Sequence, residues 1–120
     1  MSELTKSSVT KVNNQVNYSS VNVVYKSKGG LYRGFVQPYG ITYEAETQKK
    51  VVDVLRDMVK VYEDTLKRYD NPEHLKHVPL SYPEDQEKYI AISPQLITEL
   101  SANHSKILKP HYYAEAKLQA

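Results

Sequence analysis

Four histidines, two pairs of carboxylates and a double glycine are the groups in this 120-residue chain with the right types and spacing for chemistry. His74 and His77 are three apart and can share a helix face as metal ligands. No Cys or Asp/Glu cluster stands beside them to complete a coordination sphere. His104 and His111 fall in the C-terminal segment, away from any glycine-framed serine, and the chain has no cysteine nucleophile. Gly29-Gly30 lacks the longer glycine pattern and the following Lys-Ser that cradle a phosphate, so it reads as a hairpin turn. Glu44 and Glu46, two apart, share a strand face, and Asp53 and Asp57, four apart, share a helix face. Nothing around either pair would split their pKa values as acid/base catalysis requires, so both read as solvated surface. No catalytic residue, metal or cofactor is expected, and binding becomes the favoured mode of action.

Composition bounds the elements that must position these residues. The length suits one domain able to bury a modest core. Sixteen basic against fourteen acidic side chains leave a net charge of +2, too near balance to demand a nucleic acid or a membrane. The absence of cysteine fits a reducing cytoplasm. No apolar run approaches the roughly 20 residues that span a bilayer, and Met1 to Tyr18 is polar rather than signal-like. Eleven tyrosines against one phenylalanine combine apolar area with hydroxyls that need partners, which suits core edges and interfaces.

Residues 1–20 read as a flexible arm, with a short extra strand pairing across Asn13-Asn14 as the alternative. Val21, Val23 and Tyr25 then alternate with Asn22 and Lys26 as a half-buried strand. Ser27-Lys28-Gly29-Gly30 turns the chain into a second strand, Leu31 to Gln37, which Pro38-Tyr39-Gly40 ends. Ile41, Tyr43 and Ala45 alternate with Thr42, Glu44 and Glu46 as a third. Thr47 is placed to cap a helix whose stripe is Val51, Leu55, Met58, Tyr62 and Leu66, widened by Val54, Val59 and Val61. Asp70-Asn71-Pro72 stops it. After a proline-punctuated loop, Lys88 to Ser93 reads as a fourth strand. Pro94 then starts a helix toward Leu108, and the tail after Pro110 is weakly helical. The fold class expected is α+β: a βββαβ antiparallel sheet packed by one long helix, with a C-terminal helix. The expected divisions are an arm over 1–20, an α+β domain over 21–93 and a helical segment over 94–120.

The stretch Leu31 to Leu66, LYRGFVQPYGITYEAETQKKVVDVLRDMVKVYEDTL, resembles the N-terminal domain of HicB-type antitoxins. Tyr32, Gly34, Pro38, Gly40, Thr42, Glu44 and Thr47 occupy the matching positions. Ala45 stands where that family has Gly, Lys50 where it has Glu, and the loop from Asp70 to Lys88 is long. The resemblance implies a partial ribonuclease H-like fold that masks a small, mRNA-cleaving HicA-like toxin by protein–protein contact, without nuclease activity of its own. The expected partner-binding residues are Tyr32, Arg33, Tyr39, Tyr43, Glu44 and Glu46. A homodimer is expected because exposed sheet edges are often covered by self-association. The alternative is a small transcription regulator that sets its C-terminal segment on DNA through Lys88, Lys106 and Lys109.

Overall fold

Paired glycines and a Pro-x-Gly turn fold the first half of the chain into a meander. The computed structural model describes residues 11–12 and 16–118. β1 (Lys11–Val12) pairs antiparallel with the start of β2 (Val16–Lys26). The residues 16–20 expected in a flexible arm are therefore part of the first long strand, and Tyr18 and Ser20 are buried. The alternative pairing across Asn13-Asn14 is present at β1, although Asn13 and Asn14 themselves lie outside the described residues, as does 1–10 of the arm. At the Ser27 turn, Gly30 takes φ 94° and its amide donates to the Ser27 carbonyl. β3 (Tyr32–Gln37) follows, then a turn at Gly40 with φ 72°, then β4 (Thr42–Ala45).

The first helix is the one the valine-rich stripe predicts. Thr47 has extended backbone and its Oγ1 accepts from the Lys50 amide at 3.2 Å, which caps α1 (Gln48–Arg68). Val51, Val52, Leu55, Val59 and Leu66 are buried against the sheet. Asp70 and Asn71 leave the helix in left-handed backbone before Pro72. Val61 departs from the expected stripe: it is 64% exposed on the outer flank.

The second half differs from the expectation in two places. Lys88 to Ser93 is not a strand. It lies inside α3 (Pro83–Ser101), which follows the one-turn α2 (Glu73–Lys76). Pro83, not Pro94, holds the first helical position, where a missing N–H costs nothing. Pro94 is tolerated mid-helix because it lies on the solvent side. The tail expected to be weakly helical is instead the hairpin β5 (Lys106–Lys109) and β6 (Tyr112–Leu118), with residues 119–120 outside the described part. Pairing with β2 overrides the helix preference of Ala, Glu and Lys in that segment.

The fold is α+β, with one antiparallel sheet in the order β4-β3-β2-β6-β5. β6 sits beside β2 in a register that sets Val23 opposite Ala114 and Ser20 opposite Lys117. The expected division at residues 93 and 94 falls inside α3, and β6 joins the same sheet as 21–93. β2 is covered on both faces, so Asn22, expected on a solvated side, is buried. On one face Val23, Tyr25, Phe35, Ile107 and Ala114 meet Ile92, Leu96 and Leu100 of α3. On the other, Val24 and Val36 meet Val51, Leu55 and Val59 of α1. Gly34 is where α1 comes closest: a Cβ there would stand 2.6 Å from Leu55 Cδ1 and 2.7 Å from Val51 Cγ1. Among the described residues no helix is long and apolar enough to cross a membrane.

Candidate functional site

The six residues expected to bind a partner do not form one patch. Side-chain alternation puts Tyr32 and Tyr43 on the α1 face of the sheet, half-buried beside its core, with Lys26 Nζ 5.0 Å from the Tyr32 ring centroid. Arg33 and Glu44, paired in register, take the opposite face. Tyr39 is buried at the turn, its hydroxyl donating to Glu63 at 2.6 Å and its ring 4.9 Å from that of Tyr62. Glu44 is exposed on β4, the edge strand, and Glu46 is exposed just after it.

Arg33 is held rather than presented. Its Nε and Nη2 donate to the two oxygens of Asp85, at 2.8 and 2.9 Å, and the Tyr25 hydroxyl donates to the same carboxylate at 2.7 Å. Asp85 is 0% exposed, in the first turn of α3, so the cluster clamps that helix end to β2 and β3. Burial works against the Arg33 charge, but the Asp85 hydrogen bond and charge outweigh it and hold the guanidinium pKa above its ordinary value. Burial and the same carboxylate push Tyr25 well above the usual phenol range. The Tyr82 ring lies 3.9 Å from the guanidinium carbon as a cation–π cover.

The two flanks of α1 differ in chemistry. Toward β4, Ile41, Met58, Val61 and Tyr62 line an apolar surface cleft of about 360 Å³. It adjoins β4, whose outer edge has no strand partner among the described residues. Toward β6 the cleft is polar and charged, about 560 Å³, with Ser20 and Asn22 of β2 at its base and Lys60, Lys106 and Lys117 around it. Arg56 bridges this side by a two-pronged bond to Glu115, at 2.7 and 2.8 Å. Burial opposes the Glu115 charge, yet the Arg56 and Tyr113 hydrogen bonds hold its pKa below the ordinary 4.5. Glu63 is lowered in the same way: burial opposes its charge, and bonds from Lys117, Tyr39 and Ser19 prevail.

The three expected DNA-contacting lysines are dispersed. Lys106 and Lys109 fall on opposite faces of β5, with Lys106 in the α1-side cleft and Lys109 bonded to Glu99 of α3 at 3.2 Å. Lys88 lies on α3 over the Tyr25 ring at 5.2 Å. His77 faces Glu73 at 3.4 Å and His104 meets Glu99 at 2.8 Å. Among the described residues no group of three or more His, Cys, Asp and Glu is arranged to hold a metal.

Sequence reasoning missed the polar cleft entirely. Its signal was present in β2: Ser20 and Asn22 are in phase with buried Val24 on the strand, and polar residues at inward positions mark a face not filled by apolar packing. Fold and surface together define a small α+β protein with helices on both faces of one sheet, an apolar cleft on one side of α1 and a charged one on the other. The chain matches no protein-family model, no curated protein and no solved structure.

Proposed function

We propose that this protein acts in the cytoplasm by binding a small basic protein partner, in the manner of a HicB-type antitoxin masking an mRNA-cleaving, HicA-like toxin. The observation that carries this reading is the surface where the open edge of β4 meets the exposed apolar flank of α1. A solvent-facing Val61, half-buried Met58 and Ile41, and an unpaired strand edge are what a partner contributing a strand or an apolar anchor would cover. The exposed carboxylate Asp57 lines that cleft, and Glu44 and Glu46 are exposed at the same edge of the sheet, Glu44 on its opposite face; all three complement a basic partner. The same reading expects a homodimer contact at β5, the other edge without a strand partner among the described residues, and the 76% exposure of Leu108 there supports it.

The test is binding to, and neutralisation of, a small basic protein encoded beside this one, with Val61→Asp as the probe. If the apolar flank is a central contact, Val61→Asp weakens binding by about 2 kcal/mol or more while the circular dichroism spectrum stays unchanged. Purified protein that neither binds nor neutralises its neighbour, or a Val61→Asp variant that binds as tightly as the wild type, defeats the reading.

A further inference from the structure

The polar cleft lies on the opposite flank of α1 from the proposed partner surface. Ser20 is 1% exposed, and its Oγ has no hydrogen-bond partner although it is buried at the base of this cleft. Beside it the buried Asn22 side chain makes no hydrogen bond to a described residue, and Ser105 adds a second hydroxyl. A buried polar atom without a partner is costly, and a site for a ligand is one of the few reasons a protein retains it.

The charges above this base are unequal in their commitments. Arg56 is tied to Glu115, and Lys117 donates to Glu63 at 2.7 Å. Lys60 and Lys106 are exposed and have no ion pair among the described residues. With those two internal pairs neutral, Lys60 and Lys106 remain against Asp57, with Lys106 also facing Glu115 across the β5–β6 pair and helping to lower its pKa. The lining therefore has unspent positive charge next to unspent neutral hydrogen-bonding groups. The cleft extends along α1 into a second cavity of about 720 Å³, which shares Lys60 and Lys117 and adds Lys67 and Lys76 along with the carboxylates Glu63 and Asp64.

We propose that this cleft binds a phosphate ester, with Lys60 and Lys106 neutralising the phosphate and Ser20, Asn22 and Ser105 supplying neutral hydrogen bonds. Phosphate suits the set better than a carboxylate. Its several oxygens can accept from ammonium, hydroxyl and amide donors at once, and lysine serves it as a point charge. At about 560 Å³ the space exceeds what a bare anion fills and falls in the range of organic-ligand sites. Asp57 on the same rim can accept from a hydroxyl or amino group of the organic portion. A free nucleotide and a nucleotide unit of an RNA strand share this chemistry.

Titration of the isotope-labelled full chain with AMP, and separately with a hexaribonucleotide, followed by amide chemical shifts, tests the proposal and separates its two sources. Saturable shifts at Ser20, Asn22 and Ser105 are expected, absent with sodium chloride at matched ionic strength. The Lys60→Gln/Lys106→Gln double variant, which removes both charges at exposed positions without setting a carboxylate opposite Glu115, is expected to bind at least tenfold more weakly with a nearly unchanged unfolding midpoint. Ser20→Ala is expected to weaken AMP binding while leaving stability equal or higher, since it removes an unsatisfied buried hydroxyl. Equal affinity for the two probes points to a free phosphate ester. Tighter hexanucleotide binding that falls steeply with salt points to an RNA backbone. No saturable shift with either probe, or undiminished binding by the double variant, overturns the proposal. Loss of the partner surface through Val61→Asp leaves this site untouched, so the two readings fail separately.

Discussion

Replacing Asp85 by Ala should be among the most destabilising single changes in this protein. The carboxylate accepts three hydrogen bonds, two from Arg33 and one from Tyr25, and it is fully buried. Truncation leaves two groups without an acceptor. The Arg33 side chain is 12% exposed and can recover part of its solvation, whereas the Tyr25 hydroxyl, deep in the α3-side core, forfeits about 1–3 kcal/mol as an orphaned donor. Removing one partner of a buried charge pair costs about 3–5 kcal/mol, and that is the expected total. It is a large share of the roughly 5–15 kcal/mol that holds a domain together. The exposed Lys49–Asp53 pair, at a similar distance of 2.7 Å, should contribute far less, because solvent screens it. Urea unfolding followed by circular dichroism measures both, with an unchanged slope showing that the same surface is exposed. The decisive control is Tyr25→Phe in each background. Alone it should cost about 0.5–1.5 kcal/mol, and combined with Asp85→Ala it should cost nothing or restore stability, because the orphaned hydroxyl is gone. An Asp85→Ala loss below about 1 kcal/mol, or a Tyr25→Phe cost equal in both backgrounds, would refute the clamp.

Two further expectations concern the α1 side. Gly34→Ala should destabilise by about 1–3 kcal/mol because its new Cβ would collide with Leu55 and Val51, and Leu55→Ala by about 2–5 kcal/mol as a buried truncation; combined, they should cost less than their sum, since each relieves the other. Additive losses in urea unfolding would show that the contact is not the cause. Glu63 and Glu115 both have folded-state pKa values below 4.5, so their stabilisation is fully present above that pH and is lost as pH falls through the lower, folded values. Urea midpoints should therefore drop on acidification below about 4.5, less steeply in Glu63→Gln and Glu115→Gln, and an identical acid slope in both variants would be inconsistent with those pairings.

What could be read from the sequence was whatever local periodicity determines. The meander and α1 were legible because Val21, Val23 and Tyr25 alternate cleanly and Thr47 precedes a stripe of period 3.6. Lys88 to Ser93 misled because Tyr89, Ile90 and Ile92 have strand propensity and Pro94 offered a false helix start. Tertiary contact decided otherwise, burying Ile92, Leu96 and Leu100 on one helical face. The β5–β6 hairpin did carry a period-two signal, with Ile107, Tyr112 and Ala114 all inward, but its helix-forming neighbours masked it. The clamp was beyond reach, since Arg33 and Asp85 are 52 residues apart and no local rule joins them. The charged cleft was missed for the same reason: Lys60, Lys106 and Ser20 meet only once β6 has docked on β2.

That docking has a bearing on how the protein is made. β2 emerges from the ribosome well before β6, yet the two are neighbours at the heart of the sheet. Until residues 112–118 have been synthesised, one edge of β2 is bare, and the meander with α1 can be only a partly closed structure. Contacts of such long sequence separation slow folding, because the whole segment between β2 and β6 must be looped back before they form. During translation the nascent chain must wait with an open strand edge and half a core, the condition in which chaperones are recruited and in which neighbouring copies on a polysome can pair with each other.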